Sequence, residues 1–550
     1  MFFKVLLVSA LQTSQKSLDE AVDGDHSLCP QFLPIPGLTV LESYCASRDL
    51  AGAAAAVDQD SPQFLRLGAF YRAVEMCHAL WGRHRPGDSD LNKTAAQASA
   101  VAPLTSTVEQ GGDVEMGSPV SGSRQHRDQS NFSLEDLARK QAVSKWIRDQ
   151  LRPWMLSRLK ELGLSSLVEF TQSQDAEPIA KLRDLWSTGA QLSRQKFFEG
   201  IFACLCCGEI GLACRIAVAG QLPSMAIVLS QAPNGDPQFK HDILRQIQTW
   251  HELKMDKRIP KAMLYTYALL AGQIHLPHPD YAGEVLDVLA GVSYLQALGV
   301  HLWYLTDYAT GLSGVLKLFS HNWHSLTAAV TPPCPPTATD LQTAVCIRFF
   351  TPSIRLAFNI HGKVPVKFPA ALKSRDWPRD VAYHLLRLKC RRWHSLERTL
   401  DPTSMWLRQG NCGSRNTPAL SDWSASWHLW RVLHALGYRQ LNPLATSRLH
   451  SEFACQLESS GLWQWAIFVL LHEEDPRVRA SSVKQVIARH MSLQPRAVMS
   501  QGKDDFFHLD YPDAVDAAFT RAETFLIEQL NVPKRWLHEA KVNNPLVMCL

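Results

Sequence analysis

Five hundred and fifty residues exceed what one hydrophobic core usually organises, so two or three modules or a repeat array are expected. Hydrophobic residues at 46% and charged residues at 20% exclude a wholly disordered chain, and a net charge of +4 is too balanced for a general nucleic-acid scaffold. The thirteen cysteines are an odd set in a long chain, which fits a reduced, intracellular protein better than a disulfide-stapled secreted one.

In chain order, Met1–Ala10 places Lys4 before a short apolar run, Val5–Val8, that ends at Ser9 with no cleavage motif behind it. That is too little for a signal peptide and reads as a short strand or a buried segment. Pro86–Asn131 contains no Phe, Tyr or Trp and accumulates Gly, Ser, Ala, Gln and Asp, so it reads as a disordered insertion that cannot offset its ordering entropy. Phe198, Ile201, Phe202 and Leu205 then fall at i, i+3, i+4, i+7, and Ile243, Ile247 and Trp250 repeat the spacing, so helices are predicted there. Leu302 and Leu305 mark a shorter one. Gly220 and Gly437 follow periodic runs and are expected as left-handed helix stops.

Thr331-Pro-Pro-Cys-Pro-Pro336 forbids a continuing helix, and Asp401–Asp422, with Pro402, Gly410, Gly413 and Pro418, is a further soft region. Leu429, Val432, Leu433 and Leu436 restore the helical period. Gly461–Leu471 is apolar on almost every face, which predicts a helix enclosed by other helices. Its core, Leu462–Leu471, is too short to span a bilayer and contains Gln464. Pro533 before Trp536 and Leu537 suits a first helical turn. The pattern is all-α, an irregular helical solenoid of stacked hairpins without a strict repeat.

Groups that could carry chemistry are few. Cys204, Cys206, Cys207 and Cys214 cluster in sequence, but Cys-x-Cys inside an apolar helical run does not make converging zinc ligands, so they read as buried small hydrophobes. Gly410-Asn-Cys412-Gly-Ser414 loosely resembles a cysteine-nucleophile loop yet lacks the flanking residues of known cysteine-protease signatures. His508-Leu-Asp510 is a lone pair in an acidic loop. No Walker loop, dinucleotide fingerprint or nucleophile elbow is present. Arg387, Lys389, Arg391, Arg392 and Arg398 surround Trp393, a pattern that could bind phosphates and stack a base. The preceding Tyr383, Leu385, Leu386 and Leu388 make a helix with one solvated basic face the plainer reading. No catalytic residue, metal or cofactor is assigned.

The C-terminal block carries a resemblance. Ser426-Trp-His-Leu-Trp-Arg-Val-Leu433, Ala435-Leu-Gly-Tyr438 and Gln456-Leu-Glu-Ser-Ser-Gly-Leu-Trp-Gln-Trp-Ala-Ile-Phe-Val-Leu-Leu-His472 resemble the nucleoporin ninety-six family, scaffold proteins of the nuclear pore's Y-shaped complex. Shorter matches keep the family's order, among them Cys77-His-Ala-Leu-Trp-Gly82, Tyr267-Ala-Leu-Leu-Ala-Gly272, His301-Leu-Trp-Tyr-Leu305 and Val532-Pro-Lys-Arg-Trp-Leu-His-Glu-Ala540. The resemblance implies the helical fold of vesicle-coat scaffolds, with trunk, crown and tail, and a non-enzymatic scaffold supporting pore assembly and transport of mRNA and protein.

It also implies a strand that completes an open Sec-thirteen-type β-propeller. Phe2–Val8 is similar to that strand, although its own pattern allows strand or helix. Phe3, Val5 and Leu7 would alternate on one face as partner contacts.

Against the family the chain looks truncated at both ends. Propeller binding is therefore expected to be weakened, and binding of the tail-dependent Y-complex subunit is doubtful, while other Y-complex nucleoporins remain expected partners. No small-molecule substrate, direct nucleic-acid contact or transmembrane segment is expected.

The expected organisation is a strand remnant at 1–15 and a first trunk segment at 28–85. The insertion at 86–131 precedes a crown and trunk block at 132–330. Helices with Pro/Gly-rich loops follow at 331–422, and C-terminal trunk helices at 423–550. A vesicle-coat scaffold of the same fold is the alternative; a hydrolase using Cys412 is the reading from another class.

Overall fold

The computed structural model describes residues 2–17, 29–55, 62–83, 134–164, 193–232, 236–278, 285–290, 292–307, 309–324, 380–390, 396–402, 422–491 and 521–542. The expected insertion at 86–131, the proline-rich break at 331–336, Cys412 and the His508–Asp510 pair lie outside them. The described residues are predominantly helical, as the periodicity predicts. They belong to two compact units, one formed by residues 1–78, 334–351 and 378–550, the other by 79–333 and 352–377.

In the first unit, α1 (Phe2–Gln12) leads into β1 (Ser14–Ser17), which pairs antiparallel with β2 (Gln31–Pro34). Helices α2 (Thr39–Ala55) and α3 (Pro62–Trp81) follow. The second unit begins with α4 (Leu134–Glu161) and continues through α5 (Arg194–Cys206), α6 (Ile210–Ala219), α7 (Pro223–Gln231), α8 (Pro237–Glu252) and α9 (Lys261–Leu270). A two-stranded hairpin, β3 (His275–Pro277) and β4 (Val285–Asp287), precedes α10 (Tyr294–Val300), which runs into a π-turn at His301–Leu305, and then α11 (Leu312–His324). The chain re-enters the first unit with α12 (Val381–Lys389) and α13 (Leu396–Thr399). Helices α14 (Ser424–Ala435), α15 (Pro443–Ser459), α16 (Trp463–Leu470) and α17 (Pro476–Met491) lead to a π-turn at Phe525–Gln529 and α18 (Lys534–Val542).

Local chemistry explains several helix starts. Asp236 and Asn442 each accept a hydrogen bond from the backbone two residues on, at 2.9 and 3.0 Å, and each is followed by proline at the first helical position. Ser293 and Gln296 form a reciprocal capping box at the start of α10. Of the two expected glycine stops, Gly437 has φ +93°, but Gly220 has φ −77° and the left-handed residue is Gln221 at +54°. Gly220 serves a different purpose: a Cβ there would lie 2.8 Å from the Phe197 ring.

The expected N-terminal strand is corrected. Phe2–Gln12 is helical, and the strand begins only at Ser14. Leu6 and Leu7 are both buried, at 2% and 0% exposure, together with Ala10. Neighbours on a strand point to opposite faces, whereas residues i, i+1 and i+4 share a helical face wide enough to dock on α2. Ser9 Oγ meets Ser43 Oγ at 2.7 Å in that contact, and the Thr13 hydroxyl closes the helix end by donating to the Ser9 carbonyl at 2.8 Å.

Candidate functional site

A cluster of buried polar and aromatic side chains lies in the first unit. On α14, Trp427, Trp430, Arg431 and His434 follow helical spacing, and α15 adds His450 and Phe453 while Phe468 and His472 come from α16 and its end. Arg431 is 0% exposed and has no carboxylate beside it among the described residues. Its Nη2 donates to the Thr13 carbonyl at 3.3 Å and Oγ1 at 3.1 Å, and Nη1 donates to His472 Nε2 at 3.4 Å. The guanidinium also lies 5.4 Å from the Trp427 ring centre and 5.9 Å from that of Phe468. A buried cation costs several kcal/mol in lost hydration, and ring faces together with carbonyl and imidazole acceptors offset part of it.

The surrounding histidines are held neutral. His472 Nδ1 donates to the Phe468 carbonyl at 2.9 Å, which leaves Nε2 to accept from Arg431. Trp427 Nε1 donates to His450 Nδ1 at 3.1 Å, so the His450 proton sits on Nε2. Tyr44 Oη and His428 Nδ1 are 2.7 Å apart. Burial, first, and then nearby positive groups push His428 and His472 well below the usual histidine range, His450 to about 3 and His434 to about 4. Burial likewise lifts the Tyr44 phenol to about 12. None of these groups is poised to exchange a proton near neutral pH, and no cluster of described His, Cys, Asp or Glu side chains could hold a metal ion.

What the cluster does is join distant parts of the chain. The Phe32 amide donates to the Leu471 carbonyl at 2.8 Å, and the Gly37 amide donates to that of Ala435 at 2.8 Å. Phe32 packs edge-on against Phe468 at 5.4 Å. Arg479, also 0% exposed, donates to the carbonyls of Glu473 at 2.6 Å and Cys29 at 3.4 Å. The bond from the Ile35 amide to the Thr13 carbonyl fixes which β1 amides face β2. By alternation, the Lys16 amide points to the outer edge, and β1 is exposed over Gln15–Ser17.

The residues singled out from sequence fall elsewhere. Leu7 is packed inside and Val5 is half-buried on α1, so Phe3, Val5 and Leu7 do not form an alternating strand face. Cys204, Cys206 and Cys207 are buried and Cys214 is half-buried, all as free thiols. Burial pushes every one of these thiols up, Cys207 to about 12, so they are inert hydrophobes as expected. Arg387 stacks over Tyr383 at 5.8 Å, while Arg391, Arg392 and Trp393 lie outside the described residues. The sequence signal for the buried cation is an arginine amid the unbroken apolar periodicity of α14.

Among the described residues the chain is a series of helical hairpins, and the Arg431 cluster fastens its N-terminal segment to α14–α17, which defines an all-α protein of stacked hairpins. Residues 199–543 match the family described as Nuclear protein 96 (Nup96), and the chain belongs to that family. It is 29% identical over 351 residues to the nuclear pore complex protein Nup98-Nup96 of Drosophila melanogaster, covering 64% of this chain and 15% of the fly protein. The Caenorhabditis elegans protein of that name is 25% identical over 62% of this chain and 16% of its own length. The Arabidopsis thaliana nuclear pore complex protein NUP96 is 23% identical over 64% of this chain and 27% of its own length. The chain thus spans a small part of these relatives. Membership of the family makes it a nucleoporin, a component of the nuclear pore complex at the nuclear envelope. No helix among the described residues is long and apolar enough to cross a membrane.

Proposed function

We propose that the chain is a structural, non-catalytic part of the pore's Y-shaped scaffold, supporting pore assembly and through it the passage of mRNA and protein. The observation that carries this reading is the family match across residues 199–543, which runs through the helical hairpins of both units. The buried Arg431, fastened to Thr13 and His472, supports it, because such a cluster stiffens a unit. The neighbours are other Y-complex nucleoporins and a Sec-thirteen-type propeller. With Phe2–Gln12 helical, the strand offered to the propeller is β1, whose outer edge carries the Lys16 amide.

The test is affinity capture of the purified propeller by the full chain. Lys16→Pro removes the edge amide and should lower capture several-fold, whereas Lys16→Ala, which keeps the amide, should not. Capture unaltered by Lys16→Pro would remove the strand assignment. Accumulation of the tagged chain at endoplasmic-reticulum exit sites instead of the nuclear rim would favour the vesicle-coat alternative. Loss of a measurable hydrolytic activity in Cys412→Ser would favour the hydrolase.

A further inference from the structure

A hollow of about 260 Å³ opens in the second unit between α4, α8 and the π-turn that ends α10. Its described lining brings together Lys140, Arg148 and Lys240 against a single carboxylate, Asp307, an excess of two positive charges. The pairing inside it is incomplete. Lys240 Nζ stands 3.8 Å from the Asp307 carboxylate, a long contact, and that carboxylate is 81% exposed. Lys140 is turned toward backbone, donating to the carbonyls of Asp307 and Thr310 at 3.0 Å each. Arg148 Nε is shielded from solvent and has no hydrogen-bond partner.

Two aromatic side chains in the wall already spend their donors elsewhere. Trp303 Nε1 donates to Ser144 Oγ at 2.7 Å, and the Tyr304 hydroxyl donates to the Leu205 carbonyl at 3.1 Å. The shielded Nε cannot be reached from the hollow, so a ligand oxygen would be met by the Arg148 Nη groups, for which no partner stands among the described residues.

We infer that this hollow is a binding site for a compact phosphomonoester, held by Arg148 and Lys240 with Lys140 behind them. A phosphomonoester carries close to two negative charges near neutral pH, which matches the excess in the lining. Its oxygens on one tetrahedral centre suit the fork of a guanidinium, a geometry in which charge-assisted bonds are short and strong. Volume restricts the choice: sites for drug-sized ligands begin at about 300 Å³, so the guest is small.

The test is calorimetric titration of the full chain with phenyl phosphate, using phenyl sulfate as the singly charged tetrahedral control. Saturable binding of phenyl phosphate is expected, weaker by roughly tenfold or more for phenyl sulfate and in Arg148→Gln, and by several-fold in Lys240→Gln. Asp307→Asn removes the opposing charge at an exposed position and should tighten binding several-fold, an effect that damage to the fold would not mimic. If Arg148→Gln lowers the thermal midpoint, the Lys240→Gln and Asp307→Asn pair decides. Absence of saturable binding, equal affinity for phosphate and sulfate esters, or weaker binding by Asp307→Asn would each overturn the assignment.

Discussion

His450 is a neutral imidazole at a depth where protonation would place a second positive charge in the Arg431 cluster, and that has a thermodynamic consequence. Its pKa is lowered to about 3 in the folded protein, against about 6.5 in an unfolded chain. The unfolded state therefore binds more protons once the pH drops below about 6.5, and the stability present above that value is withdrawn down to the folded pKa. By pH 5, His450 alone withdraws about 2 kcal/mol, and His428, His434 and His472 act in the same direction.

Asp380 works the other way. Burial raises its carboxyl to about 6, so it returns about 1 kcal/mol over the same interval. The expected outcome is a net loss of unfolding free energy in urea titrations between pH 7.5 and pH 5. A flat profile would mean that the histidines are not buried as described.

The residue scale also shows where periodicity stops being informative. Trp465 sits in the run expected to be enclosed on all faces, yet it is half-buried, 4.9 Å from Phe525, while Trp427 on α14 is 0% exposed. Hydrophobic spacing identified both helices, but which face a neighbour covers depends on other elements, such as Phe525 for Trp465 and Phe453 and Phe468 for Trp427.

At the scale of elements, the π-turn after α10 fixes Trp303 between two glycines. A Cβ on Gly299 would lie 2.6 Å from the indole ring, and one on Gly208, whose φ is +74°, would lie 2.8 Å from it. The indole cannot easily retreat, because its Nε1 is bonded to Ser144. Gly299→Ala is therefore expected to cost about 1–3 kcal/mol through overpacking. Gly211→Ala, in α6 with nothing within 4 Å of the added carbon, should be neutral or stabilising by up to about 1 kcal/mol. Thermal midpoints of the two variants check the pair, and equal midpoints would contradict the clamp.

The helix start after Pro533 was read from sequence, whereas Asp236-Pro237 and Asn442-Pro443, which carry their own capping chemistry, were not. The N-terminal element was not legible. Phe2–Val8 satisfies both a period of two and a period of 3.6, and packing against α2 decides between them.

At the scale of the molecule, the all-α class followed from repeated helical spacing and glycine or proline punctuation, and the family from the α14–α16 segment. The closure of the first unit did not. Thr13 and Arg431 are 418 residues apart, and no local pattern announces a threonine carbonyl as the acceptor of a distant guanidinium. Removing residues 2–38 would leave the Arg431 cluster without Thr13, Phe32 and Gly37. The expected result is a red-shifted tryptophan emission and rapid proteolysis within α14–α16. Unchanged emission and protection would show that these helices hold together unaided.

The same 418-residue span sets a waiting time during synthesis. At roughly 5–20 residues per second, the segment containing Thr13 leaves the ribosome about 20–80 s before Arg431 is made. Throughout that interval Phe32 has no Phe468 to meet, and the amides of Phe32 and Gly37 lack the carbonyls that will accept them. The first unit therefore closes only when residues made much later arrive, and until then its earlier segment exposes the kind of apolar surface that chaperones bind.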